Sequence, residues 1–154
     1  MNTHAPAFTA KKTGKRYAAL TALLMTISLW SASAHACWEE AAKRYGIDVR
    51  LLYAIAKTES SINPQAINRN ANGTYDVGLM QINSSWFPTL RRYGIQENHL
   101  YDPCVSLQVG AWILAQNAHR MGNSWEAIGA YNSGDPDRRL AYARRVFKNL
   151  PTLP

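Results

Sequence analysis

Two carboxylic acids, Glu59 and Asp76, precede an apolar segment that carries the side-chain amides Gln81 and Asn83 and then Ser84. A carboxyl held against apolar neighbours keeps its proton nearer neutral pH and can act as a general acid. A second carboxyl across a cleft can serve as nucleophile or electrostatic stabiliser. The amides are donors and acceptors suited to hydroxyl and N-acetyl groups. Taken singly, each group has a plainer reading: a helix-end Glu in solvent, or an amide satisfying nearby backbone.

The elements around them favour the chemical reading. Asp48 is a good N-cap, and Val49 to Ser60 holds no breaker before Asn63 and Pro64, so a helix is expected to end at Glu59 and Ser60. Leu52, Ile55 and Ala56 precede Glu59 by seven, four and three positions, which puts the acid on the core-facing stripe. From Gln65 to Val77 the chain reads as a hairpin. Asn72-Gly73 suits a two-residue type I′ turn, and the return strand delivers Asp76.

Three motifs extend the pattern: Glu59-Ser60 followed by Asn63-Pro64, then Gly78-Leu79-Met80-Gln81-Ile82, then Ala130-Tyr131-Asn132-Ser133-Gly134. In this order they resemble the soluble lytic transglycosylases, the goose-lysozyme-like enzymes, over about Trp38 to Tyr142. The small members of that family accompany secretion, conjugation or pilus machines. The central stretch is also similar to chicken-type lysozyme, through Glu59, Asn68 to Asn70, and Asp76 to Ser84. The resemblance implies an α+β, predominantly α, lysozyme-like fold with a small β-hairpin beside the active-site cleft. It implies Glu59 as the catalytic acid, with Asn68, Asp76, Gln81, Asn83, Tyr131 and Asn132 as substrate-binding residues. Asn68 stands where many transglycosylases have Ser. Tyr131, by itself a core aromatic, is by resemblance the tyrosine that lines the cleft and bonds near the acid.

Residues 1–36 join basic Lys11, Lys12, Lys15 and Arg16 to an acid-free run from Tyr17 to Trp30 and the small-residue site Ala34-His35-Ala36. This is the pattern of a cleaved signal peptide, and the run is short for a membrane span. The expected product is an exported, periplasmic protein of residues 37–154, one domain and a monomer. The whole chain carries +7, but four of its 17 basic residues stand in this leader, so the remainder is only mildly basic. That balance suits an anionic cell-wall polymer and offers no cluster for nucleic acid. His99 and His119 are the only histidines after the leader, and no phosphate loop or GxSxG elbow is present, so neither metal nor cofactor is expected. Cys37 and Cys104, an even pair in an exported chain, are expected to form a disulfide.

The remaining elements read as helices: Trp38 to Tyr45, a short one from Trp86 toward Gly94, a central buried helix from Cys104 to Met121 opened by Asp102-Pro103, then Trp125 to Asn132, and a last one from Pro136 to about Asn149. Ile95 to Tyr101 is read as irregular. On the last helix Leu140, Ala143, Val146, Phe147 and Leu150 are assigned to the apolar face, and Arg138, Arg139, Arg144 and Arg145 to the solvated one.

The chemistry implied by the resemblance is cleavage of peptidoglycan glycan strands between N-acetylmuramic acid and N-acetylglucosamine, closing 1,6-anhydro ends. The alternatives are lysozyme-like hydrolysis of the same bond with Asp76 as second carboxyl, and a non-catalytic wall-docking assembly factor.

Overall fold

The computed structural model describes residues 37–152. The expected leader, residues 1–36, lies outside the described residues.

Helix α1 covers residues 37–45 and is tied at its start by the Cys37–Cys104 disulfide, as expected. Helix α2, Val49–Ser60, begins where the Asp48 side chain accepts the Arg50 N–H. It buries Leu52, Ala54, Ile55 and Ala56 completely, the stripe on which Glu59 was expected. Ser61 and Ile62 stop it with positive φ.

Strands β1 (Ile67–Arg69), β2 (Tyr75–Val77) and β3 (Ile82–Asn83) form one antiparallel sheet in that order. Beyond the Arg69–Tyr75 pair Asn70 N–H still bonds the Thr74 carbonyl at 2.8 Å, so the hairpin loop is Ala71 to Gly73, one residue wider than the expected two-residue turn. Gly73, at φ 83, is the only loop residue with positive φ, whereas a type I′ turn needs it at Asn72 as well. The Asn72 side chain is committed elsewhere: its Oδ1 accepts from Thr74 N and Oγ1. The third strand escaped the sequence reading because it is only two residues long.

A short 3-10 helix, Ser84–Trp86, runs into α3, Phe87–Arg91, and another 3-10 turn covers Glu97–Tyr101 where irregular chain was expected. Helix α4, Pro103–Met121, is the buried centre. Asp102 Oδ1 accepts from Cys104 N and Val105 N, and Leu107, Val109, Gly110, Ala111, Ile113 and Leu114 face inward. Gly110 is required by packing, since a Cβ there would stand 2.7–2.9 Å from three side-chain atoms of Met80.

Helix α5, Trp125–Gly129, stops three residues short of the expected Asn132. Helix α6, Pro136–Lys148, crosses it at Gly129, where a Cβ would lie 2.5 Å from the Arg139 backbone oxygen and Cβ. That contact also turns α6 relative to the expected face. Arg139 points inward and donates to the Ser133 and Gly134 carbonyls, whereas Leu140 and Phe147 are exposed. The buried residues of α6 are Tyr142, Ala143 and Val146. Arg138, Arg144 and Arg145 are exposed as expected, and the Arg145 guanidinium lies 5.5 Å from the centre of the Tyr142 ring. The fold is mostly helical with one small sheet, the α+β class expected.

Candidate active site

The turn from Gly78 to Gln81 is where the helices meet the sheet. Gly78, at φ 79, passes so close to Leu100 that a Cβ would stand 2.1 Å from its carbonyl oxygen. Gln81 has φ 47, a conformation costly for a side-chain-bearing residue, and its own amide secures it. Gln81 Nε2 donates to the Gly78 and Ala66 carbonyls at 2.8 and 3.1 Å, and Oε1 accepts from Asn68 Nδ2 at 2.6 Å. Other parts of the chain bond to the same turn. Ser60 Oγ of α2 donates to the Leu79 carbonyl at 2.7 Å, Ser106 Oγ of α4 accepts from Met80 N at 3.0 Å, and Tyr131 Oη donates to the Met80 carbonyl at 2.9 Å.

Of these anchors, Gln81 and Tyr131 line an open cavity of about 600 Å³. Glu59, Asp76, Gln81, Asn83, Tyr131 and Asn132 all border it, as does the whole Ala130–Gly134 stretch. Asn68 does not: it is exposed on β1, its amide bonded to Gln81. Of the seven sugar-site residues expected from sequence, six therefore converge.

Glu59 is the acid whose chemistry the cleft alters. Its pKa is raised from 4.5 to about 7, first because burial penalises the charge. A hydrogen bond from Tyr142 Oη to Glu59 Oε1, 2.5 Å long, opposes the rise. The charge of Asp76 adds to it, and that of Arg145 subtracts. An acid poised near 7 is half protonated at neutral pH, which suits a group that must give a proton and then take one. The hydroxyls of Tyr131 and Tyr142 are pushed well above their usual range by burial and then by the Glu59 charge, so both remain neutral donors.

Tyr142, not Tyr131, is thus the tyrosine that touches the acid. Tyr131 acts on the turn beneath, holding the Met80 carbonyl. The sequence reading missed Tyr142 because its helix face was drawn one step away, through Leu140 and Phe147.

Asp76 is clamped by two amides: Asn70 Nδ2 donates to Oδ2 at 2.9 Å and Asn83 Nδ2 to Oδ1 at 2.6 Å. Both amides also donate to Thr74 Oγ1, at 3.1 and 3.0 Å, so the hairpin loop and β3 hold one carboxylate between them. Asn83 Oδ1 meanwhile caps the following 3-10 turn through Ser85 N. The cleft therefore presents a protonatable acid on a helix end and an amide-held carboxylate on the sheet.

A helical domain with a small three-stranded sheet, and a half-buried acid on the cavity that both border, is a lysozyme-like arrangement. The structure of the lytic transglycosylase Slt from Pseudomonas aeruginosa, in an inactive mutant, matches it with a TM-score of 0.61 at 24% identity. The match covers 75% of this chain and 23% of that one, so this chain spans about a quarter of that protein. The chain belongs to the transglycosylase SLT domain family, whose profile matches residues 36–149. Among its relatives, invasion protein IagB of Salmonella typhimurium is 46% identical over 122 residues, covering 76% of each chain. Protein IpgF of Shigella flexneri is 41% identical over 117 residues, covering 73% of this chain and 77% of its own. The X polypeptide of Escherichia coli is 44% identical over 119 residues, covering 73% of this chain and 70% of its own.

Proposed function

We propose that this protein is an exported, periplasmic peptidoglycan lytic transglycosylase that cuts the β-1,4 bond between N-acetylmuramic acid and N-acetylglucosamine and leaves 1,6-anhydro ends. The observation that carries the proposal is Glu59, half-buried, bonded by Tyr142 and poised near neutral pH on the wall of an open cleft. Protonated Glu59 gives its proton to the glycosidic oxygen as the C1–O bond breaks through an oxocarbenium-like state. The resulting carboxylate then takes the proton of the muramyl C6 hydroxyl, whose oxygen closes on C1. Glu59 returns to its starting state without water being consumed. Gln81, Asn83, Tyr131 and Asn132 border the sugar path, Gln81 and Tyr131 chiefly by holding the turn that shapes it.

Asp76 supports a second reading. It borders the same cleft, accepts from the side-chain amides of Asn70 and Asn83, and adds to the Glu59 pKa through its charge. A stabilising carboxylate there would suit hydrolysis by water, the muramidase outcome. The Ala130–Gly134 motif and the single cysteine pair favour the anhydro-forming reaction.

The name of the invasion protein to which the chain is 46% identical supports a local role: opening the wall for an envelope-crossing secretion, conjugation or pilus machine. The test of cleavage is release of soluble fragments from purified sacculi. Wild-type protein is expected to release them, and Glu59→Gln to lose at least about a hundredfold in rate. Complementation of secretion by Glu59→Gln, with no fragments released by either protein, would replace cleavage with wall docking.

A further inference from the structure

Beyond the cleft, three aromatic rings stand in file. Trp86, at the end of the first 3-10 turn, lines the catalytic cavity together with Ser85 and Ile113. Its ring meets that of Trp112 of α4 edge-on, with centroids 5.5 Å apart, and Trp112 meets Tyr93 in the same way at 6.1 Å. Trp112 and Tyr93 belong to a second cavity, of about 300 Å³, lined also by Tyr45, Leu90 and Ile95. The Trp86–Trp112 pair thus has one ring on each cavity. Tyr93 closes the file with one side on Trp112 and is 70% exposed, so most of its ring is open to solvent.

A polymer threaded through a cleft must leave it along some part of the surface. Pyranose rings present an apolar C–H face, and aromatic side chains give such faces a broad, weakly selective contact. The file begins inside the catalytic cavity and ends on the most exposed ring of the set, as a track guiding a strand outward would.

We infer that Trp86, Trp112 and Tyr93 form an extension of the glycan path, with Tyr93 binding sugar residues of the strand beyond those held in the catalytic cleft. The inference rests on reading the cleft as glycan-binding. It makes Tyr93 a determinant of strand length: long strands reach it, short fragments do not. The contact is to the sugar backbone, so it persists on glycans without peptide stems.

The experiment is binding of the N-acetylglucosamine dimer and hexamer, which carry no stems, followed by tryptophan fluorescence in the Glu59→Gln background. Tyr93→Ala and Tyr93→Phe are compared there. Tyr93→Ala is expected to weaken hexamer binding about three- to tenfold and leave the dimer unchanged, whereas Tyr93→Phe keeps the hexamer affinity. Equal losses on both sugars, no loss on either, or a Phe variant as weak as the Ala variant would overturn the inference. Sacculus digestion by the otherwise wild-type protein separates the two readings. Length-selective loss of binding without any digestion products would uphold the track and refute cleavage; digestion products with binding indifferent to Tyr93 would do the reverse.

Discussion

Replacing Glu59 by Gln should change how stability depends on pH, because the carboxyl is less acidic in the folded protein than in the unfolded chain. Its pKa is about 7 when folded against an ordinary 4.5. At about 1.4 kcal/mol per unit, that difference is worth about 3 kcal/mol. For an acid whose pKa rises on folding, the favourable contribution is fully present below the unfolded value. It is lost as pH climbs through the folded value, where ionisation leaves a charge in a place that resists it. Between about pH 4 and pH 8 the wild-type protein should therefore lose about 3 kcal/mol of unfolding free energy relative to Glu59→Gln, with the loss levelling off just above neutrality. Gln is nearly isosteric and its amide oxygen can still accept from Tyr142, so the comparison isolates the charge. Urea titrations of both proteins at a series of pH values, with the disulfide intact, give the difference directly. If the two curves run parallel to within about 1 kcal/mol over that range, Glu59 is not an acid of raised pKa and the reasoning fails.

Other expectations follow from the same contacts. Tyr142→Phe removes the hydrogen bond that opposes the rise in Glu59, so the alkaline limb of the cleavage rate should move to higher pH, measured on sacculi; a shift to lower pH would contradict the bond's direction. Gly110→Ala drives a methyl group into Met80, and thermal unfolding should register a loss of about 1–3 kcal/mol. Reducing the Cys37–Cys104 bond opens a sequence separation of 67 residues, and chain entropy places the cost at about 4 kcal/mol in urea titrations with and without reductant.

What could be read from the sequence was what local rules decide. Asp48, Asp102, Ser124 and Asp135 each cap the helix they precede, and proline follows Asp102 and Asp135 directly. The stripe through Leu52, Ile55 and Ala56 placed Glu59 correctly because α2 is regular up to its last turn. What could not be read was decided by distant contacts. Tyr142 and Glu59 are 83 positions apart, and the face of α6 that carries Tyr142 is set by Gly129 and the carbonyls of Ser133 and Gly134, which draw Arg139 inward. Apolar periodicity alone chose Leu140 and Phe147 instead. The hairpin was misjudged for a local reason. Asn-Gly favours a two-residue turn in isolation, but here Asn70 N–H bonds the Thr74 carbonyl and Gly73 N–H the Asn70 carbonyl, so three residues span the loop and only Gly73 needs positive φ. The roles of Gln81 and Tyr131 were only half visible: both border the cleft, yet their polar atoms are spent on the Gly78–Gln81 turn.

The central claim is that one acid, Glu59, performs both proton transfers and that Asp76 is not a catalytic partner. Mass spectrometry of muropeptides released from peptidoglycan by residues 37–154 tests it most directly, with Glu59→Gln and Asp76→Asn digested in parallel. The account predicts 1,6-anhydro ends from the wild-type and Asp76→Asn proteins and none from Glu59→Gln; reducing ends that disappear with either substitution would contradict it and make the protein a two-carboxylate hydrolase.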